Sequence, residues 1–242
     1  MRLTTALCVL FFTFCAHSAD QPVKQAVKSF EKEITITVRY KYLLSLPPDY
    51  DKQEKWPLVL FLHGSGECGE NVDVVKKNGP PKIADDKPYP FILVSPQAPE
   101  HFWHIPSLKA LLDDVIANNK VDSDRVYVTG LSLGGGATWH LTAAYPDLFA
   151  AAAPVCGWDP KPSTAPKIKD IAYWVFHGDA DKAVPLAHSQ RMVDALKPLG
   201  AEVKFTVYPG VGHDSWNKAY AEPELWTWLL SHSRKKQMDK GL

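Results

Sequence analysis

Short, nearly continuous apolar runs recur along the chain: PLVLFL from Pro57, FILVS from Phe91, RVYVTG from Arg125, FAAAAPV from Phe149, IAYWVFHG from Ile171 and VKFTVYPG from Val203. A strand with one wet face alternates apolar and polar residues. A run that is apolar throughout needs cover on both faces, which is the situation of a parallel sheet held between helices. Segments with helical spacing supply that cover at 108–118, 134–145, 188–199 and 222–232. Strand and helix thus alternate, which predicts a doubly wound α/β fold with a mostly parallel sheet and helices on both faces. The alternating ITITVRYKYLLSLP, Ile34 to Pro47, reads as one or two antiparallel strands at the leading edge.

The 242 residues suit one compact domain. The connection 157–170 is too short for a large lid domain. Formal net charge is zero, so the overall balance points neither to nucleic acid nor to an anionic membrane. The first residues, MRLTTALCVLFFTFCAHSAD, combine a basic start, an apolar run and a small-residue exit, the grammar of a signal peptide. The apolar run falls short of the ~20 residues that a spanning helix needs. The expected organisation is therefore a signal peptide at 1–19, a catalytic domain at 20–233 and a basic polar tail at 234–242. The mature chain would be secreted or periplasmic, without a membrane span. A buried N-terminal helix is the alternative. Removal of the leader leaves Cys68 and Cys156, which an exported chain either bridges or keeps as two separate thiols.

In open α/β sheets ligands bind beyond the carboxyl ends of the strands. There the chain has G-x-S-x-G, as Gly130, Leu131, Ser132, Leu133 and Gly134. A chance match arises in about 0.08 of chains this long, so its context carries the weight. A buried-type strand, RVYVT, enters the motif, and a small-residue helix start, GGGATW, leaves it. The turn is so tight that side chains two residues either side of the serine would collide, which calls for glycine at both places. A dinucleotide-binding loop is excluded, because G-x-G spacing is missing and Trp139 stands where the last glycine should be.

A serine hydroxyl is a poor nucleophile at neutral pH and needs a base and a carboxylate to orient that base. His213, in YPGVGHDSW beyond the last core strand, is placed to be the base. HGDADKAVP offers Asp179 and Asp181 as the acid, and spacing does not separate them. Asp214, next to the histidine in sequence, would point elsewhere. His101 and His104 lack companion ligands, so neither a metal nor a cofactor is expected.

Four blocks, LFLHGSGECGEN, VSPQAP, VTGLSLGGGATW with YPDLFAAAAPVCG, and VFHGDADKAVP with YPGVGHDSW, span Leu60 to Trp216. Together they resemble the secreted α/β-hydrolases of the phospholipase/carboxylesterase type, related to dienelactone hydrolases and to the catalytic domain of prolyl oligopeptidases. The resemblance implies an α/β-hydrolase fold with Ser132 as nucleophile, His213 as base and Asp181 as acid, Asp179 falling at a variable position. It also implies an oxyanion hole from the backbone N–H groups of Ser65 and Leu133, with Glu67 holding that loop. Cys68 departs from the arginine common at its position. Cys68 and Cys156 both follow strands expected to flank the nucleophile strand, so a disulfide bracing the pocket is one outcome to test. Trp103, Trp158 and Trp216 lie in loops after strands and are candidates to line the substrate pocket.

The expected function is an ester hydrolase working through an acyl-enzyme on small-molecule or polysaccharide-linked esters with bulky, aryl or carbohydrate groups. Serine in place of the cysteine of dienelactone hydrolases argues against dienelactone cleavage. The alternatives are a serine peptidase of the prolyl oligopeptidase type, although no propeller domain is present to gate peptides, and a non-catalytic binding module with the same fold.

Overall fold

A computed structural model describes residues 27–158 and 160–234. The proposed signal peptide and tail residues 235–242 lie outside the described residues. The chain divides into two units, Met1–Ile36 and Thr37–Leu242. Of the first, residues 27–36 are described; they are exposed and form no helix or strand.

The second unit holds the fold. Its strands are β1 (Tyr42–Ser45), β2 (Trp56–Leu62), β3 (Ile92–Pro96), β4 (Val121–Leu131), β5 (Ala151–Val155), β6 (Ala172–Gly178) and β7 (Val203–Tyr208). Its helices are α1 (Ile105–Asn118), α2 (Leu133–Ala144), α3 (Ala165–Ile168), α4 (Ala187–Leu196), α5 (Trp216–Ala219) and α6 (Glu224–Leu230). Each apolar run of the sequence is a strand of one seven-stranded sheet, ordered β1-β3-β2-β4-β5-β6-β7. Only the β1–β3 pair is antiparallel. This is the expected α/β-hydrolase architecture.

The leading strand is shorter than Ile34 to Pro47. Tyr42 pairs with Pro96 at the end of β3, which has no N–H to extend the ladder. One further bond, from the Gln97 N–H to the Lys41 carbonyl, continues the pairing before it stops. Residues 37–40 therefore have no ladder to join.

Alternate residues of β2 go to opposite faces, as the pleat requires. Leu58, Leu60 and Leu62 join a core with α1, α2 and α4, while Val59 and Phe61 join a second core with α5 and α6. Both faces are thus dry, which explains why the strands carry apolar residues at every position. Because β2 and β4 to β7 run parallel, their carboxyl ends share one edge, with β4 in the middle of the sheet.

Candidate active site

At the carboxyl end of β4 the chain turns into α2 within the span of Ser132, whose φ of 52° and ψ of −113° lie outside the ordinary regions for a non-glycine residue. Such a conformation costs roughly 1–3 kcal/mol and needs support from its surroundings. The glycines provide it by permitting close approach. A Cβ on Gly130 would stand 2.4 Å from the Gly134 carbonyl oxygen, and one on Gly134 would stand 1.9 Å from the Leu62 carbonyl oxygen. The sequence expectation of a collision thus has specific partners, the facing glycine and the end of β2.

Three side chains separated in sequence converge here. The His213 ring lies with Nε2 2.8 Å from Ser132 Oγ and Nδ1 2.7 Å from Asp181 Oδ2. A carboxylate only accepts, so Nδ1 carries the proton, and Nε2 is left to accept from the serine hydroxyl. Asp181 is fixed in turn, its Oδ1 accepting the backbone N–H groups of Ala183 and Val184, each at 2.9 Å. Burial works to raise its pKa, but the hydrogen bonds from His213 and the two amides outweigh it and hold the carboxyl below its ordinary value.

Asp179, the other acid in the same loop, has a different partner. Its Oδ1 accepts from the Gly210 N–H at 2.7 Å, while Ala180 N–H donates to the Val211 carbonyl at 3.0 Å. These bonds zip the acid loop to the loop that carries His213. Asp214 is exposed and accepts from Asn217 at the start of α5.

His177 lies beneath Asp181. Its Nε2–H donates to the Val184 carbonyl at 2.8 Å and stands 3.3 Å from Asp181 Oδ2, and its Nδ1 accepts from Ser189 Oγ at 2.7 Å. Burial lowers its pKa and keeps the ring neutral. Its signal in the sequence was position alone, the first residue of HGDADKAVP.

The loop after β2 approaches Ser132 from the other side. A Cβ on Gly64 would lie 3.6 Å from Ser132 Cβ, and Ser65, the next residue, is exposed. Leu133, the other expected donor, opens α2, where backbone N–H groups have no intrahelical acceptor. His63 anchors the loop. Its Nδ1–H donates to the Gly64 carbonyl at 2.6 Å and its Nε2 accepts from the Ala98 N–H at 2.9 Å. Burial pushes its pKa down to about 4, so the ring stays neutral. Glu67 is buried, its Oε1 accepting from Asn78 Nδ2 at 2.7 Å and its carbonyl from Gln97 Nε2 at 2.9 Å. Neither Asn78 nor Gln97 stood out in the sequence.

The tryptophans separate. Trp103 is 7% exposed and donates to the His63 carbonyl at 3.3 Å, which places it beneath the Gly64 loop. Trp158 is half-buried against Gly136 of α2. Trp216 is half-buried and meets the His213 ring edge-on, with centroids 5.3 Å apart. Cys68 and Cys156 are free thiols, so no disulfide braces the pocket. Burial pushes the Cys156 thiol up to about 12.

Residues 103–222 match the family model described as phospholipase/carboxylesterase, a segment that contains Ser132, Asp181 and His213. The chain is 33% identical over 127 residues to poly(3-hydroxyalkanoate) depolymerase C of Paucimonas lemoignei, covering 45% of this chain and 30% of that protein. It is 29% identical over 127 residues to the carboxylesterase SOBER1 of Arabidopsis thaliana, covering 50% and 55% of the two chains. A crystal structure of a thermostable esterase superposes with a TM-score of 0.70 at 31% identity, covering 79% of this chain and 59% of that one. The chain thus spans less than two-thirds of each of these proteins. The chain thus has the α/β-hydrolase fold, and its residues 103–222 are similar to the phospholipase/carboxylesterase family.

Proposed function

We propose that the chain is a serine carboxylic ester hydrolase working through an acyl-enzyme. The observation that carries this reading is the continuous pair of hydrogen bonds, 2.8 and 2.7 Å, running from Ser132 through His213 to Asp181. Ser132 Oγ attacks the ester carbonyl carbon as its proton passes to His213 Nε2, and the imidazolium so formed is stabilised by Asp181. The same proton then goes to the leaving alkoxide. Water, deprotonated by His213, releases the acid and restores Ser132. The N–H groups of Ser65 and Leu133 receive the oxyanion, where loss of one donor costs ~3 kcal/mol of barrier.

The substrates are esters with bulky, aryl or carbohydrate-linked groups. The half-buried Trp158 and Trp216 offer flat apolar surface near His213 and α2, which suits such groups. The leader sequence supports action outside the cytoplasm. Ser132→Ala and the wild type should be compared on short and long acyl esters, feruloyl esters, acetylated xylan and peptide amides. Turnover of the preferred ester should fall by about 10⁴-fold or more in the variant. Equal turnover in the two proteins overturns the reading, and faster cleavage of an amide than of its matched ester moves it to a peptidase.

A further inference from the structure

Behind the His213 ring lies a group that the acyl-transfer reading does not use. Cys156, the first residue after β5, is buried and sits at φ 40°, a left-handed conformation uncommon for a residue with a side chain. Its backbone N–H is tied to the Phe176 carbonyl at 2.9 Å, so the strained residue is held from the β6 side. One ligand atom each from Cys156, Asp181 and His213 lie within 4.8 Å of one another. The fully buried Ser215 hydroxyl lies against the same thiol and has no other hydrogen-bond partner. Sulfur, carboxylate oxygen and imidazole nitrogen are the donors that zinc-like cations select.

We propose that Cys156, Asp181 and His213 form an inhibitory site for a thiophilic divalent cation, Zn2+ or Cd2+. Its occupation takes the imidazole away from Ser132. The cation is not a resident cofactor but a ligand that competes with the proton relay. Around tetrahedral Zn2+, with S at about 2.3 Å and N or O at about 2.0–2.2 Å, donors stand roughly 3.5 Å apart. The widest separation here must therefore close by about 1 Å, which a side-chain rotation supplies. Cys156 and the Asp181 carboxylate are enclosed, whereas the His213 side chain is 26% exposed. Entry is thus from the His213 side and requires that ring to shift. Gly210 and Gly212, in the loop that carries it, make the shift easier.

The balance is simple. The cation forms a bond to Cys156 sulfur and the thiol proton leaves to solvent. If His213 binds through Nδ1, its proton moves to Nε2, so the ring no longer accepts from Ser132. One proton is released for each cation bound. The groups that act on the thiol are the Asp181 and exposed Asp214 carboxylates, His213, the Ser215 hydroxyl and the half-buried Tyr220 phenol. The two carboxylates favour a bound cation.

The loss of turnover rests on the proposed hydrolase reading; the binding does not. The test is therefore a Cd2+ titration of the full chain read two ways, by thiolate-to-metal charge-transfer absorption and by ester hydrolysis. Wild type and Cys68→Ala should develop the band at one Cd2+ per chain and lose turnover in step with it. Cys156→Ala should show no such band, keep its basal turnover and need at least about tenfold more Cd2+ for half-inhibition, as a site stripped of its thiolate would. Cys156→Ser, close in size with a far weaker ligand for soft cations, repeats the measurement should the alanine variant not fold. A band in wild type without any ester turnover would uphold the site and sink the hydrolase reading. No band in wild type, a band lost with Cys68 instead, or equal inhibition of the Cys156 variants overturns the proposal.

Discussion

Asp181 Oδ2 is shared by two imidazoles, His213 at 2.7 Å and His177 at 3.3 Å, while Oδ1 takes two amides. In the proposed relay His177 acts through Asp181, as a positioning residue. His177→Leu removes that second donor and strands the Val184 carbonyl and Ser189 hydroxyl, at about 1–3 kcal/mol for each buried group left unpaired. A less restrained carboxylate is also more basic and favours the imidazolium. We expect kcat to drop about tenfold with KM unchanged, and the acid limb of the rate profile to move to higher pH. His177→Gln, which keeps a donor, should recover much of both. A loss of stability without any move of the acid limb would reduce His177 to a packing residue. Its role was hidden in the sequence because nothing in a one-dimensional string says which histidine lies under which carboxylate. Asp179 and Asp181 were inseparable by spacing for the same reason, and only the resemblance chose between them. The structure separates them by partner, Gly210 for one and His213 for the other.

At the scale of elements, the β4–Ser132–α2 turn depends on contact between backbones. Gly134→Ala drives a methyl to within 1.9 Å of the Leu62 carbonyl oxygen, and the end of β2 cannot swing aside as a side chain would. Overpacking of this kind costs typically 1–3 kcal/mol and occasionally more. In a chain of this size it should lower Tm by about 5–10 °C. Gly66→Ala, with nothing within 4 Å of the added carbon, is the control and should leave Tm within about 2 °C. Equal melting of the two variants would mean that the turn has slack the structure does not display. The same elements mark where the sequence was readable. Runs buried on both faces read directly as strands, because burial leaves one composition open to them. The stretch 65–82 did not, since it folds as 3-10 segments, Ser65–Glu67, Val72–Lys77 and Pro80–Lys82, too short to carry a helical period. The alternation from Ile34 promised a longer leading strand than exists, because strand length is set by the partner, and β3 ends at Pro96.

For the whole molecule, parallel strands with one shared edge turn sequence order into a site. The ends of β4, β6 and β7 deliver Ser132, Asp181 and His213 to that edge, so the order serine, acid, histidine was legible before any distance was known. What sequence order does not convey is how the site's frame titrates. His63, buried between the Gly64 loop and Ala98, has its pKa lowered to about 4 in the folded chain, against about 6.5 when unfolded. Its neutral form is the folded one, so its contribution is complete above pH 6.5 and is lost as pH falls toward 4. Across those roughly 2.5 pH units the loss approaches about 3 kcal/mol. His177, lowered in the same direction, adds to it. Asp181 does not enter this window, because a carboxyl held below its ordinary value contributes above about pH 4 and loses that contribution only beneath it. Urea unfolding at pH 7.5 and at pH 4.5 should therefore show a marked drop for wild type. His63→Gln, which keeps a donor and an acceptor but cannot charge, should start less stable and lose clearly less between the same two pH values. Parallel losses in the two proteins would assign the acid sensitivity to other groups and leave His63 a simple anchor of the loop.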